Sequence, residues 1–271
     1  MKLEPYFARI GFHGNPRPDL DTLKQLHLLH PCAIPFENLS TLLGEPVLLE
    51  TAALEEKLIR GQRGGYCFEQ NTLFQQVLEA IGFDLTPLAA RVVWNQDKGR
   101  PNPRTHMVLL VEIGGNQFLC DVGFGGATLT APLAFEPGML QTTPHEPYQI
   151  EAIGSEFTLK VRFGDTWRYA YEFDLQPQRP IDYEAMNHYV QTHPGSHFRS
   201  VLMVGRPDTA GRLALGGNEL TRYQEGLVIE RRQVDSAAEL ASLLTNEFQI
   251  GLPDHHDLDS LLERVADTSP Q

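Results

Sequence analysis

Residues 63–83 read RGGYCFEQNTLFQQVLEAIGF, and the chain changes character on either side of them. Within the stretch, Phe74, Val77, Leu78 and Ile81 recur at helical spacing, and Gly82 stands where a helix ends in a left-handed cap. Gly64 and Gly65 interrupt anything helical before it, so the spacing predicts a helix opening at Cys67. Working back toward the N-terminus, TAALEEKLIR (51–60) repeats the pattern with Leu54 and Leu58. DLDTLKQLHLLH (19–30) carries Leu20, Leu23, Leu26 and His27 on one face, with Asp19 or Asp21 as cap and Pro31 following. Three helices of about 10–15 residues are expected, a usual length.

Toward the C-terminus the period switches near residue 85. LAARVVW (88–94), THMVLLVEI (105–113), NQFLCDV (116–122), YQIEAI (148–153), EFTLKVRF (156–163) and WRYAYEF (167–173) are short runs rich in β-formers, separated by Gly, Pro, Asn and Asp. That spacing predicts an antiparallel sheet curling toward a barrel. From about 184 the pattern is mixed: a helix near EAMNHYVQTH, strands at VLMVG, RLALG and LVIERR, then helices in DSAAELASLLTNEF and DLDSLLERV. There is no internal repeat, and the tail ADTSPQ (266–271) is expected to fray.

The composition excludes several roles. With 22 basic against 35 acidic residues the formal net charge is −13, which opposes nucleic acid, where Lys and Arg contacts to phosphate dominate affinity. An anionic small ligand is still compatible, through a few local positive groups or helix N-termini. No apolar run approaches the ~18 residues of a membrane span, so no membrane partner is expected. Glu4 and Pro5 lie where a secretory signal has its apolar core, so the expected location is cytoplasmic. Three cysteines with no C-x-x-C pair point to reduced thiols rather than a disulfide framework.

Of these thiols, Cys67 has the informative surroundings. A thiol in a first helical turn lies beside unpaired N–H groups and the positive end of the dipole. Such positions lower a thiol pKa from about 8.5 to roughly 3.5–7.5, and the thiolate is the nucleophile. Arg63 adds positive charge. Against this, a free cysteine at a helix start is often a small buried hydrophobe, the reading that suits Cys32 and Cys120. A nucleophilic cysteine needs a base and the base an orienter. His106 begins one strand and Asp121 ends the next, with Gly114-Gly115-Asn116 between them as a hairpin turn. If Gly114-Gly115 is a two-residue loop, Ile113 pairs with Asn116, Asp121 faces Val108, and His106 is a diagonal neighbour on the same face. A three-residue loop would put the two on opposite faces. His27 and His30 are three apart on a helix but lack a third ligand. His255-His256-Asp257 reads as a solvated loop with Asp257 as a cap. His188, His193 and His197 cluster without specific signal, and no metal is expected.

Together these segments resemble a family. RGGYCFEQN (63–71) is similar to the nucleophile segment of bacterial-type arylamine N-acetyltransferases. T-H at 105–106 and DVGFGG at 121–126 resemble the segments with that family's His and Asp. IPFENL (34–39) resembles its N-terminal signature and HPGSHF (193–198) a later stretch. The resemblance spans essentially the whole chain and implies an α+β multidomain fold: a helical bundle (1–84) carrying the nucleophile, an antiparallel β-barrel (85–183) carrying His and Asp, and an α/β lid (184–271). The core would be cysteine-protease-like. It implies acetyl-CoA as cosubstrate and aromatic amines or hydrazines as acceptors, in a ping-pong reaction through a Cys67–His106–Asp121 triad. It further implies Val92 and Phe124 at the acceptor pocket, Gly125, Gly126 and Phe198 at the cofactor, and Glu37 with Arg63 as a supporting ion pair. Two rivals stand beside it: a cysteine hydrolase or transglutaminase-like enzyme with the same triad, and a binding protein that keeps the fold. Oligomeric state is not encoded in any of these motifs.

Overall fold

The structure is a computed structural model that describes residues 1–94 and 102–267; of the tail expected to fray, 268–271 lie outside the described residues. The helical part comprises α1 (Leu3–Ile10), α2 (Leu20–Ala33), the single turn α3 (Leu39–Leu42), α4 (Thr51–Leu54), which widens into a π-helical stretch over Glu55–Arg60, and α5 (Cys67–Ile81). Asp19 caps α2 by accepting from Thr22 N–H at 2.9 Å, and Gly82 ends α5 in the left-handed region at φ 102°. Pro31 lies inside α2 rather than after it. Proline has no N–H for the His27 carbonyl and crowds it, yet α2 runs two residues further and Ile34 N–H still reaches His30 O at 2.8 Å.

Eight antiparallel strands follow: β2 (Asp84–Val92), β3 (His106–Ile113), β4 (Asn116–Cys120), β5 (Leu133–Ala134), β6 (Leu140–Gln141), β7 (Tyr148–Ile153), β8 (Glu156–Phe163) and β9 (Thr166–Phe173). Their order, β5-β4-β3-β2-β9-β8-β7-β6, leaves β5 and β6 as edges. The Gln141 side chain joins them, donating to Ala134 O at 2.8 Å and accepting from Ala134 N–H at 2.7 Å, which nearly closes the barrel. Strand β3 is buried on both faces, which is why its sequence is continuously apolar. Met107, Leu109 and Val111 pack with Phe74 and Val77 of α5, while Val108 and Leu110 face Leu119, Ile150 and Val161 inside the barrel.

The last part holds α6 (Pro180–Thr192), then β10 (Met203–Pro207), β11 (Arg212–Gly216), β12 (Glu219–Gln224) and β13 (Leu227–Gln233). Next come α7 (Ala237–Ser242), continued by a π-helical turn over Leu243–Glu247, and α8 (Leu258–Ala266). Its sheet runs β1-β10-β11-β12-β13, where β1 is Phe36–Glu37 from the N-terminal part. Leu240, Leu244, Phe248, Leu261 and Leu262 cover this sheet's apolar face. The short strands β1, β5 and β6 carry too few residues for any period, and they went unforeseen along with α1 and β12. Among the described residues no helix is long and apolar enough to cross a membrane.

Candidate active site

The start of α5 is fixed by backbone crowding. A Cβ on Gly64 would lie 2.2 Å from Pro35 O, and one on Gly65 would lie 2.7 Å from Glu69 Oε2. Only bare backbone passes there, so Gly65 N–H reaches Pro35 O at 3.2 Å and Glu37 N–H reaches Gly65 O at 3.1 Å. Arg63 Nη2 and Glu37 Oε1, both buried, form an ion pair at 2.8 Å, and Glu37 Oε2 accepts from Leu39 N–H at 2.6 Å. Glu69 accepts from Tyr66 N–H at 3.0 Å and from Lys57 Nζ at 2.7 Å. Arg63 and Glu37, expected as a pair, are thus joined within the segment that leads into Cys67.

The hairpin takes the two-residue form. Gly114 and Gly115 both have positive φ, 59° and 80°, and Ile113 pairs with Asn116 and Leu109 with Cys120. Continuing that register sets Asp121 opposite Val108, one diagonal from His106. His106 Nε2 donates to Asp121 Oδ2 at 2.7 Å. Asp121 Oδ1 accepts from Asn71 Nδ2 and from Gly123 N–H, each at 2.9 Å, and Asp121 N–H donates to His27 Nε2 at 3.1 Å. Asn71, one turn after Cys67 on α5, also donates to Met107 O at 2.8 Å and accepts from Val122 N–H at 3.0 Å. A Cβ on Gly123 would lie 2.8 Å from Cys67 Cα, so the loop after Asp121 touches the helix start itself. The Cys67 Sγ lies 3.5 Å from Thr105 O.

Cys67, His106 and Asp121 are 3%, 2% and 0% exposed, so their charges interact with little screening by water. Burial alone would drive the His106 imidazolium down. The Asp121 carboxylate, then hydrogen bonding and negative charge at Cys67, outweigh it and push the pKa up to about 10. Burial works against the Asp121 carboxylate too, yet His106, Asn71 and Gly123 hold it below its ordinary range.

Aromatic rings surround the imidazole. Phe124 meets His106 edge-on at 5.2 Å between centroids, and Tyr171 lies at 4.9 Å. Trp94 extends the wall, 5.8 Å from Phe124. Half-buried Val92 is one step removed, paired across strands with Tyr171. Gly125 sits at φ +84°, where an added Cβ would lie 3.4 Å from the Phe36 ring, and Gly126 next to it is exposed. Phe198 packs on Tyr66 at 5.4 Å and on Phe36 at 6.1 Å, beside the nucleophile segment.

A family model described as N-acetyltransferase matches residues 19–257. An arylamine N-acetyltransferase of Mycolicibacterium smegmatis is 42% identical over 99% of both chains. The chain belongs to the arylamine N-acetyltransferase family. Another member, from Escherichia coli, is 41% identical over 93% of this chain and 90% of its own. The Mycobacterium marinum enzyme, solved in complex with CoA, superposes with a TM-score of 0.93 at 36% identity, covering 97% of this chain and 99% of that one. The helical part, near-closed barrel and α/β lid are the architecture of such solved family structures.

Around this family site, three further residues carried no signal as single positions. Asn71 could have been found from its i+4 spacing to Cys67, which puts it on the face of α5 turned toward Asp121. Tyr171 and His27 could not, because their roles depend on strand and helix placement. His27 is neutral, with burial lowering its pKa to about 4. His30, lowered by burial to about 3, accepts from Tyr6 OH at 2.8 Å and donates to Gln70 Oε1 at 2.7 Å. Burial raises the Cys32 thiol to about 11 and holds the Cys120 thiol well above its ordinary range. His255, His256 and Asp257 do bring ligand atoms within 4.8 Å of one another, on a largely exposed loop. A groove of about 530 Å³ lined by Glu112, Phe118, Phe135 and Glu136 lies at the end of β3 away from His106.

Proposed function

We propose that this chain transfers the acetyl group of acetyl-CoA to aromatic amines or hydrazines, with Cys67 as the transient acyl carrier, His106 as proton donor and acceptor, and Asp121 as its orienter. The observation that carries the reading is the buried line Asp121–His106–Cys67, with the imidazole bonded to the carboxylate at 2.7 Å and the cysteine opening a helix. Membership of the family supports it. The donor brings the acetyl group as a thioester. The Cys67 thiolate adds to the carbonyl, the bond to the CoA sulfur breaks, and the proton held on His106 goes to the departing thiolate. One thioester replaces another, so the exchange is nearly balanced. Acetylation removes the sulfur's charge and its hydrogen bond, and with them part of what holds His106 protonated. The neutral imidazole then takes the proton from the amine nitrogen as that nitrogen attacks acetyl-Cys67 and the thiolate leaves.

For the substrates, Phe124, Tyr171, Trp94 and Val92 offer an aromatic acceptor the apolar wall its ring needs. The exposed backbone of Gly126, with Gly125 and Phe198 beside it, suits a thin chain such as a pantetheine arm. Intact-mass spectrometry after brief mixing with acetyl-CoA tests this directly. One acetyl group on Cys67, absent in Cys67→Ala and discharged by an added arylamine, is the expected result. Acetate release without an adduct would replace transfer by hydrolysis, and neither adduct nor acetate would leave a binding protein.

A further inference from the structure

The barrel and the lid sheet meet at a buried polar junction whose partners reach back to the Gly125–Gly126 turn. Glu146, just before β7, and Arg212, the first residue of β11, are 1% and 2% exposed and pair Oε2 to Nε at 2.5 Å. Arg212 Nη2 also donates to Tyr148 OH at 3.4 Å. Tyr148 OH in turn donates to Ala127 O at 2.9 Å, with Thr128 O at 3.3 Å, and these carbonyls directly follow Gly126. His145 Nε2–H donates to Asp208 O and Gly211 O, at 2.8 and 2.9 Å, across the β10–β11 turn.

The same two lid strands press on the turn. A Cβ on Gly205 of β10 would lie 2.9 Å from Gly125 C and from Gly126 N, and one on Gly126 would meet the Ala214 Cβ at 3.6 Å. Gly205 and Ala214 are cross-strand partners. Arg212 and Ala214, two apart on β11, share a face. One face of one strand therefore holds both the ion pair and the floor of the turn.

We propose that Glu146, Arg212 and Tyr148 are positioning residues that set the Gly125–Gly126 turn against the lid and thereby the apparent affinity for the acyl donor, without acting on the thiol. The inference rests on the reading that this turn borders the donor. Tyr148→Phe keeps the ring in the core and removes only the hydroxyl link; Glu146→Gln keeps an acceptor and removes the charge. Both should raise KM for acetyl-CoA about five- to tenfold, the equivalent of one lost hydrogen bond, with kcat and the rate of Cys67 alkylation by iodoacetamide within twofold of wild type. KM unchanged in both variants, even with a lower Tm, would make the junction purely structural and overturn the proposal. A fall in kcat together with slower alkylation would also overturn it, by placing the effect on the triad. Gly126→Ala separates the two layers: its added methyl has room and should itself raise KM. If Gly126→Ala leaves KM unchanged, the donor-turn reading fails; if it raises KM while Tyr148→Phe does not, only the positioning role fails.

Discussion

At Asp121 three donors converge on one buried carboxylate: His106 on Oδ2, and Asn71 and Gly123 on Oδ1. The Asn71 amide by itself makes three bonds that tie the helix to Asp121, Met107 and Val122. Asn71→Ala would leave several buried groups unpaired and should cost about 2–4 kcal/mol, read from a denaturant midpoint. It should also lower kcat well beyond what the stability loss at assay temperature explains. The His106–Asp121 pair makes stability depend on pH with a definite sign. His106 is raised above its ordinary 6.5, so its contribution is complete below that value and is lost as pH rises toward about 10. Asp121 is lowered from 3.8, so its contribution is present above that value and is lost on acidification. The stability gap between wild type and Asp121→Asn should therefore be widest between about pH 4 and 6.5 and close toward pH 10. A gap independent of pH across that range would mean His106 is neutral in the folded enzyme.

Elements are where the sequence was most and least readable. The Gly114-Gly115 loop sets the pairing of β3 with β4, and that pairing alone puts His106 and Asp121 on one face. Period 3.6 in 67–81 likewise locates Cys67 at a helix start. The junctions between elements were not legible: β1 spans two residues, its partner β10 is far along the chain, and no local pattern announces either contact. The same holds for Gln141, whose amide joins the barrel's edges, and for Tyr171, which reaches His106 only through the β2–β9 pairing. Glycine was the exception among junction residues, because two glycines before a cysteine already imply close passage of backbone. Gly123 extends that logic. A methyl added there would sit 2.8 Å from Cys67 Cα and 3.0 Å from Asn71 Nδ2, so Gly123→Ala must push the Asp121 loop off α5. The expected cost is about 1–3 kcal/mol, as for an overpacked core, with a loss of activity that Gly115→Ala, in open space at the far end of the same hairpin, does not share.

At the scale of the whole molecule, a net charge of −13 faces a donor that is itself polyanionic. Several of the positive side chains near the cleft are already spent in ion pairs, Arg63 with Glu37 and Arg212 with Glu146 among them. At about 10 mM ionic strength the Debye length is roughly 30 Å, so acidic groups across the molecule repel the approaching donor; at about 150 mM it is near 8 Å, and only groups lining the site still act. Added salt should thus remove repulsion from distant charges faster than it weakens contacts inside the cleft. KM for acetyl-CoA is expected to fall about twofold between those two conditions, whereas the KM of an uncharged arylamine should not move, since long-range fields act only on charged ligands. A rise in the acetyl-CoA KM with salt would mean that exposed cations around the donor's phosphates outweigh the field of the whole protein.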